Sequence, residues 1–110
     1  MSQSKRPGSC KGSEKGVLYE IPFSCGKKYI GETGRTIDER FREHHYNVRQ
    51  AWSDQSTSYG RLANHTADHG CYPRFDKARV LAQNVRDDEL RKGLEKHAIS
   101  KCGRRCVNNE

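Results

Sequence analysis

Tyr19 and Tyr29 lie ten positions apart, and an arginine (Arg40), a histidine (His44) and a distant glutamate (Glu95) follow them in order. Arg40 and His44 are four residues apart, which stacks them on one face of a helix, one turn from each other. Gly31, two residues past Tyr29, leaves room for close approach of a bulky backbone such as that of a phosphodiester chain. Glu95 sits beside the apolar positions Leu94, Ala98 and Ile99, where a carboxylate buried without a partner is costly. A metal ion would remove that cost.

A second set has a different chemistry. His65, His69 and Cys71 form His-x-x-x-His-x-Cys, and Cys25 lies in a turn far upstream. Two histidines at i and i+4 share a helical face, and a cysteine just beyond Gly70 folds back toward them. With Cys25 they make four nitrogen and sulfur ligands, the tetrahedral set of structural zinc. Taken singly, these residues read as surface histidines and small buried thiols. The cluster points to a Zn²⁺ staple. Cys102 and Cys106 have no histidine partner and are expected to be free thiols.

The elements that must position these groups follow from apolar patterning and turn residues. Val17, Leu18, Tyr19 and Ile21 form an apolar run stopped by Pro22, a first strand. Ser24 to Lys27 supplies a tight turn, and Lys28 to Gly31 a second strand, so the two make a hairpin that brings the phenols together. Gly31, Thr33 and Gly34 are expected to break that strand. Thr36 to Glu39 spells a capping box that opens a helix from Ile37 to about Arg49, with Ile37, Phe41, His44 and Arg40 on one face. Residues 51–60 read as a loop around Trp52, and Arg61 to His69 as a short helix ended by Gly70. Phe75 to Leu81 is the expected third strand. Asp87 caps a last helix over Asp88 to Lys101, with the stripe Leu90, Leu94, Ala98 and Ile99 inward and Arg91 at its edge. The order β-β-α-(α)-β-α implies an α+β fold, a small three-stranded antiparallel sheet flanked by helices.

Bulk composition sets limits. At 110 residues with 32% hydrophobic and 32% charged residues, the chain supports one domain with a small core that benefits from a staple. The net charge of +7 favours an anionic partner, nucleic acid above all. Residues 1–15 read as a disordered basic tail or linker, and 16–110 as the folded domain. They hold no signal-peptide pattern, and no run of the chain has membrane-spanning apolar length. Together with five cysteines, an odd count, this leads to the expectation of a reducing, intracellular setting.

The stretch from Tyr19 to Arg35, with the continuation Arg40-Phe41-Arg42-Glu43-His44, resembles the GIY-YIG nuclease superfamily, and most of all the endonuclease domain of Penelope-like retroelements. The likeness runs from about Val17 to Asn108. It implies a DNA endonuclease that hydrolyses phosphodiester bonds, nicking strands in a nucleus, with a reverse transcriptase fused or associated. By that resemblance Tyr19 and Tyr29 are the two motif tyrosines and Gly31 the motif glycine. Arg40 clamps a phosphate oxygen, His44 orients the site, and Glu95 holds Mg²⁺ or Mn²⁺. Tyr19 takes or relays the proton of the attacking water, which requires lowering its pKa from the ordinary value near 10. Asn108 falls where the family often has an asparagine near the active site.

The chain departs from the pattern at three places. Val17 stands where the first motif has glycine, Phe23 where a second cysteine is usual, and Cys71 where a histidine is frequent. The fourth zinc ligand is therefore open, His69 being the first choice and Cys10 a substitute. Lys27, Lys28 and Arg35 flank the second tyrosine and are expected at DNA phosphates, as are Arg42, Arg49, Arg104 and Arg105. The competing expectation is a zinc-stabilised nucleic-acid-binding module without cleavage.

Overall fold

A computed structural model describes residues 15–54 and 56–110. Two antiparallel strands, β1 (Lys15–Pro22) and β2 (Lys28–Thr36), lead into helix α1 (Ile37–Ser53). Helix α2 (Arg61–His69), a 3₁₀ turn at Phe75–Lys77, strand β3 (Arg79–Ala82) and helix α3 (Asp88–Cys102) follow. Short 3₁₀ turns at Gly103–Arg105 and Val107–Asn109 end the chain. The sheet order is β2-β1-β3, antiparallel throughout. This is the α+β architecture expected from the order of elements.

β1 is the central strand, and its uninterrupted apolar run is explained by burial on both sides. Val17, Tyr19 and Ile21 point to one face, where they pack with Ile37, Leu62, Ala78 and Val107 beneath α1 and α2. Leu18 points to the other, joining Ile30 and Cys106 under Leu94, Ala98 and Ile99 of α3. Each layer of helices thus has its own half of a divided core.

Several boundaries differ from the sequence expectation, each for a physical reason. β2 is not broken at Gly31, Thr33 and Gly34 but continues to Thr36. The two glycines mark close approach within a strand. A Cβ on Gly31 would lie 2.5 Å from the Tyr19 hydroxyl, and one on Gly34 would lie 3.0 Å from Arg91 Nη2. α1 opens with the full Thr36–Glu39 capping box and runs past Arg49 to Ser53, because Ala51 continues the buried stripe of Ile37 and His44. Trp52 is therefore helical rather than in a loop. Phe75 lies outside the third strand, in a 3₁₀ turn that sets its ring 5.4 Å from that of Phe41.

In α3 the expected roles of Leu90 and Arg91 are exchanged. Leu90 is 57% exposed, whereas Arg91 is 4% exposed. The guanidinium is satisfied by Glu32 Oε1 at 2.5 Å, the Val85 carbonyl at 2.9 Å and Asp88. A buried charge is tolerated when its partners are fixed in place, and this one bolts α3 to β2. The expected tail lies outside the described residues apart from Lys15, which opens β1, and so does Cys10. Gly16 takes φ +61° with the Val85 carbonyl against its Cα, so a side chain there is strained twice over.

Gly31→Ala should lower stability by about 1–3 kcal/mol, because the methyl overpacks the Tyr19 phenol. A denaturant titration that matches wild type would contradict that packing.

Candidate functional site

The hairpin register sets Tyr19 opposite Gly31 and Ile21 opposite Tyr29. The two tyrosines are therefore diagonal neighbours on one face of the sheet, within reach of each other. Their ring centroids are 6.5 Å apart. α1 crosses above them and brings His44, whose Nε2 lies 2.7 Å from the Tyr19 hydroxyl. His44 also meets the edge of Tyr29, ring centroid to ring centroid 5.4 Å. Arg40, one turn earlier on α1, is half-buried beside the same group and is held by Glu43 at 2.7 Å. Glu43 also receives Arg35 at 2.5 Å, so both arginines share one carboxylate.

Electrostatics in this cleft run against an ionised phenol. Burial, followed by the charge of Tyr29, pushes the Tyr19 pKa well above its ordinary value, and Arg40 opposes this only in part. Burial raises Tyr29 as well. Desolvation thus moves Tyr19 away from the lowered pKa that a role as proton acceptor requires. His44 moves the other way, down to about 3, first through burial and then through the charge of Arg40. The pair is neutral at physiological pH. The two neutral groups share one hydrogen bond, its direction set by the histidine tautomer.

Glu95 sits on α3 one turn after Arg91. It is half-buried, and among the described residues it has no hydrogen bond or ion pair. Burial raises its pKa, the charge of Glu32 raises it further, and Arg40 lowers it. Its own charge bears on both phenols. Glu95 is therefore a carboxylate short of positive charge at the edge of the tyrosine cleft. That suits a hard divalent cation such as Mg²⁺ or Mn²⁺. Glu32 and Arg91 were missed in the sequence. Only the period-two alternation of β2, which turns Glu32 toward α3, hinted at the first of them.

The second cluster is drawn together by backbone stitching. Phe23 and Pro73 form an isolated bridge, and the Ser24 amide donates to the Tyr72 carbonyl at 2.9 Å. This places the hairpin turn against the segment after α2. Cys25, His65 and Cys71 then offer ligand atoms within 4.8 Å of one another. Cys25 Sγ is 3.5 Å from His65 Nε2. Burial disfavours ionising Cys25, yet its hydrogen bonding with His65, the Lys27 amide and Cys71 together holds its thiol below the ordinary value. Cys71 is raised by burial and by Cys25. Two sulfurs and a nitrogen so disposed fit Zn²⁺. Phe23 packs its ring 4.7 Å from that of His65, which makes it a wall of the cluster.

His69 groups instead with His65 and Glu110, its ring 4.7 Å from that of His65. It is not gathered with the two cysteines. Glu110, unnoticed in the sequence, accepts from His65 Nδ1 at 2.9 Å and pairs with Lys27 at 2.8 Å. A carboxylate behind a histidine fixes its tautomer and leaves Nε2 free to ligate.

The remaining expected residues divide. Lys27 is bound to Glu110 beside the Cys/His cluster rather than the phenols. Lys28 alternates to the α3 face of the sheet and lies 3.6 Å from Glu20. Asn108 commits its side chain to β2, accepting from the Ile30 amide and donating to the Ile30 carbonyl, both at 2.9 Å. It completes the outer edge of an edge strand. Cys102 and Cys106 are free thiols, as expected, and burial pushes Cys106 up to about 11.

Fold and site together define a small α+β domain with a buried tyrosine-histidine group flanked by Arg40, and a thiol-imidazole cluster where the hairpin turn meets the end of α2. No family model, curated protein or solved structure matches the chain. No helix among the described residues is long and apolar enough to cross a membrane.

The low pKa of His44 has a thermodynamic consequence. Below about pH 6.5 the unfolded chain binds a proton at this position that the folded chain refuses until about pH 3. Stability from this group is therefore present at neutral pH and falls as the pH drops through that window. The limiting slope is about 1.4 kcal/mol per pH unit. His44→Gln should flatten that part of the profile, and an unchanged slope in the variant would assign the loss elsewhere.

Proposed function

We propose that the chain is a divalent-metal-dependent DNA endonuclease of the GIY-YIG type, resembling the domain found in Penelope-like retroelements. The observation that carries this reading is convergence. Tyr19 from β1, Tyr29 from β2 and His44 from α1 pack together with Arg40 beside them, and Glu95 of α3 is near enough for its charge to act on both phenols. Residues chosen only for packing do not gather a guanidinium, two phenols and an unpartnered carboxylate from four elements.

In this reading Glu95 holds Mg²⁺ or Mn²⁺, which supplies charge stabilisation for the phosphate and the leaving oxygen. Arg40 presents its donors to a non-bridging phosphate oxygen, exchanging Glu43 for the substrate. Tyr19 receives the proton of the attacking water as its own proton passes along the 2.7 Å bond to His44 Nε2. His44 is neutral but a weak base in the absence of substrate, so the relay requires the negative charge of a bound phosphate beside Arg40 to raise the imidazole's pKa. Tyr29 packs against His44 and keeps its ring in place. Nuclear action and an attached reverse transcriptase belong to the same proposal.

Zn²⁺ at Cys25, His65 and Cys71 serves the fold by pinning the hairpin turn to α2, with Glu110 behind His65. His69 is the reserve ligand for the fourth position.

A second reading, a zinc-stabilised nucleic-acid-binding module without cleavage, is favoured by one specific observation. Tyr19 has no solvent exposure, and its phenol is held protonated by burial.

Two measurements separate these readings. Supercoiled plasmid with Mg²⁺ or Mn²⁺ should be nicked by the wild type, with Arg40→Ala and Glu95→Ala slower by at least about a hundredfold. Equal background cutting by all three proteins rejects the enzyme and leaves the binding module. Purified protein should carry about one zinc per chain, lost together with stability in Cys25→Ser. Glu110→Ala should weaken zinc binding by about tenfold or more. Zinc-free protein that melts like the untreated protein would remove the staple.

A further inference from the structure

The outer face of α1 takes no part in either cluster. Tyr46 is 59% exposed and Trp52 is 51% exposed, in a chain whose other aromatic rings mostly line the core. Tyr46, Arg49 and Trp52 recur at every third residue, and Arg42 stands one turn before Tyr46. The four side chains therefore neighbour one another as a continuous strip on the helix surface. Arg42 and Arg49 are exposed and have no ion pair among the described residues. Between Arg42 and Ser53 the one carboxylate is Glu43, and Arg35 and Arg40 hold it on another side of the helix. His45 borders the strip and is fixed by its ring contact with Phe75, 4.1 Å between centroids.

We propose that this face of α1 binds an unpaired polynucleotide strand, with bases stacked on Tyr46 and Trp52 and phosphates against Arg42 and Arg49. Alternating cations and exposed rings are what a single strand offers partners for, because its bases present free π-faces and its backbone carries regular negative charge. A duplex hides those faces. Six residues of helix separate Tyr46 from Trp52 by about 9 Å along the axis. That is well beyond the rise of about 3.4 Å between stacked neighbours, so each ring takes its own base with Arg49 between them.

Other occupants fit less well. The strip contains no aliphatic side chain, and the apolar face of α1 is spent on the core, so Tyr46 and Trp52 alone would have to anchor it in a lipid surface, a small apolar area for interfacial binding. A protein partner would bury two uncompensated guanidinium groups and meet a chain of net charge +7. The inference rests on the nucleic-acid side of the proposed function and is independent of cleavage.

Trp52 is the sole tryptophan, so its fluorescence reports on this face directly. The full chain is titrated, without divalent metal, with a short unpaired DNA oligonucleotide, an RNA of the same sequence, the DNA annealed to its complement, and anionic vesicles. Quenching by DNA, by RNA or by both, with little from the duplex, is the expected result, and the tighter of the two names the strand. Anisotropy of labelled oligonucleotide should show about tenfold or greater weakening in Trp52→Ala. Arg49→Gln should reduce the slope of log affinity against log salt by about one. Both substitutions are at exposed positions, and circular dichroism confirms that the variants fold.

Strand binding without Trp52 quenching, wild-type affinity in Trp52→Ala, no strand binding, or quenching by vesicles alone each overturns the proposal. A chain that quenches but never nicks plasmid keeps this inference and loses the nuclease. One that nicks without quenching does the reverse.

Discussion

The phenol of Tyr19 lies over the bare Cα of Gly31 and hydrogen-bonds His44, and most of the architecture is arranged around that contact. A glycine in β2 lets a large ring on β1 lie flat across the hairpin, where any Cβ would push it out. The histidine then fixes the rotation of α1 about its own axis, because its Nε2 must reach a hydroxyl that has no exposure to water. Burying a hydroxyl and an imidazole without this bond would cost each its hydration with nothing in return. The rotation also decides where Arg40 and the outer strip of α1 point. One contact thus orients both faces of the helix.

Charge is handled differently at two successive turns of α3. Beneath α3, Arg91 is satisfied by Glu32, Asp88 and the Val85 carbonyl, and that set locks a helix to an edge strand. One turn further, Glu95 has no such partner and carries a raised pKa. The locked pair holds the unlocked carboxylate at the cleft. Strain of this sort is tolerable where a ligand relieves it, since a bound cation would reverse the burial penalty. Beside the hairpin turn, Glu110 is shared by Lys27 and His65, so an acidic group braces the thiol cluster from outside.

Much of this was legible before any coordinates. The Thr36–Glu39 capping box, the Asp87 cap and the apolar run around Tyr19 with the turn that follows it each specify local structure through near neighbours. They placed α1, α3 and the hairpin correctly. The glycines of β2 were misread because a glycine looks the same whether it ends a strand or makes room for a ring from the next one. Leu90 and Arg91 were exchanged for a related reason. Hydropathy assigns the arginine to water, and only Glu32, far along the chain, reverses that preference. Glu110 and the fold-bound role of Asn108 left no local trace, since each acts across the whole length of the chain.

The sequence alone therefore determined the elements, their order and the kinds of chemistry available, because caps, turns and apolar periods are local properties. Tertiary structure decided which groups are neutral, which are paired and which are left wanting a partner. Those outcomes depend on desolvation and on charges brought close by folding. The same tyrosine that reads as a candidate base in the chain becomes a buried neutral phenol once β1 is covered on both faces.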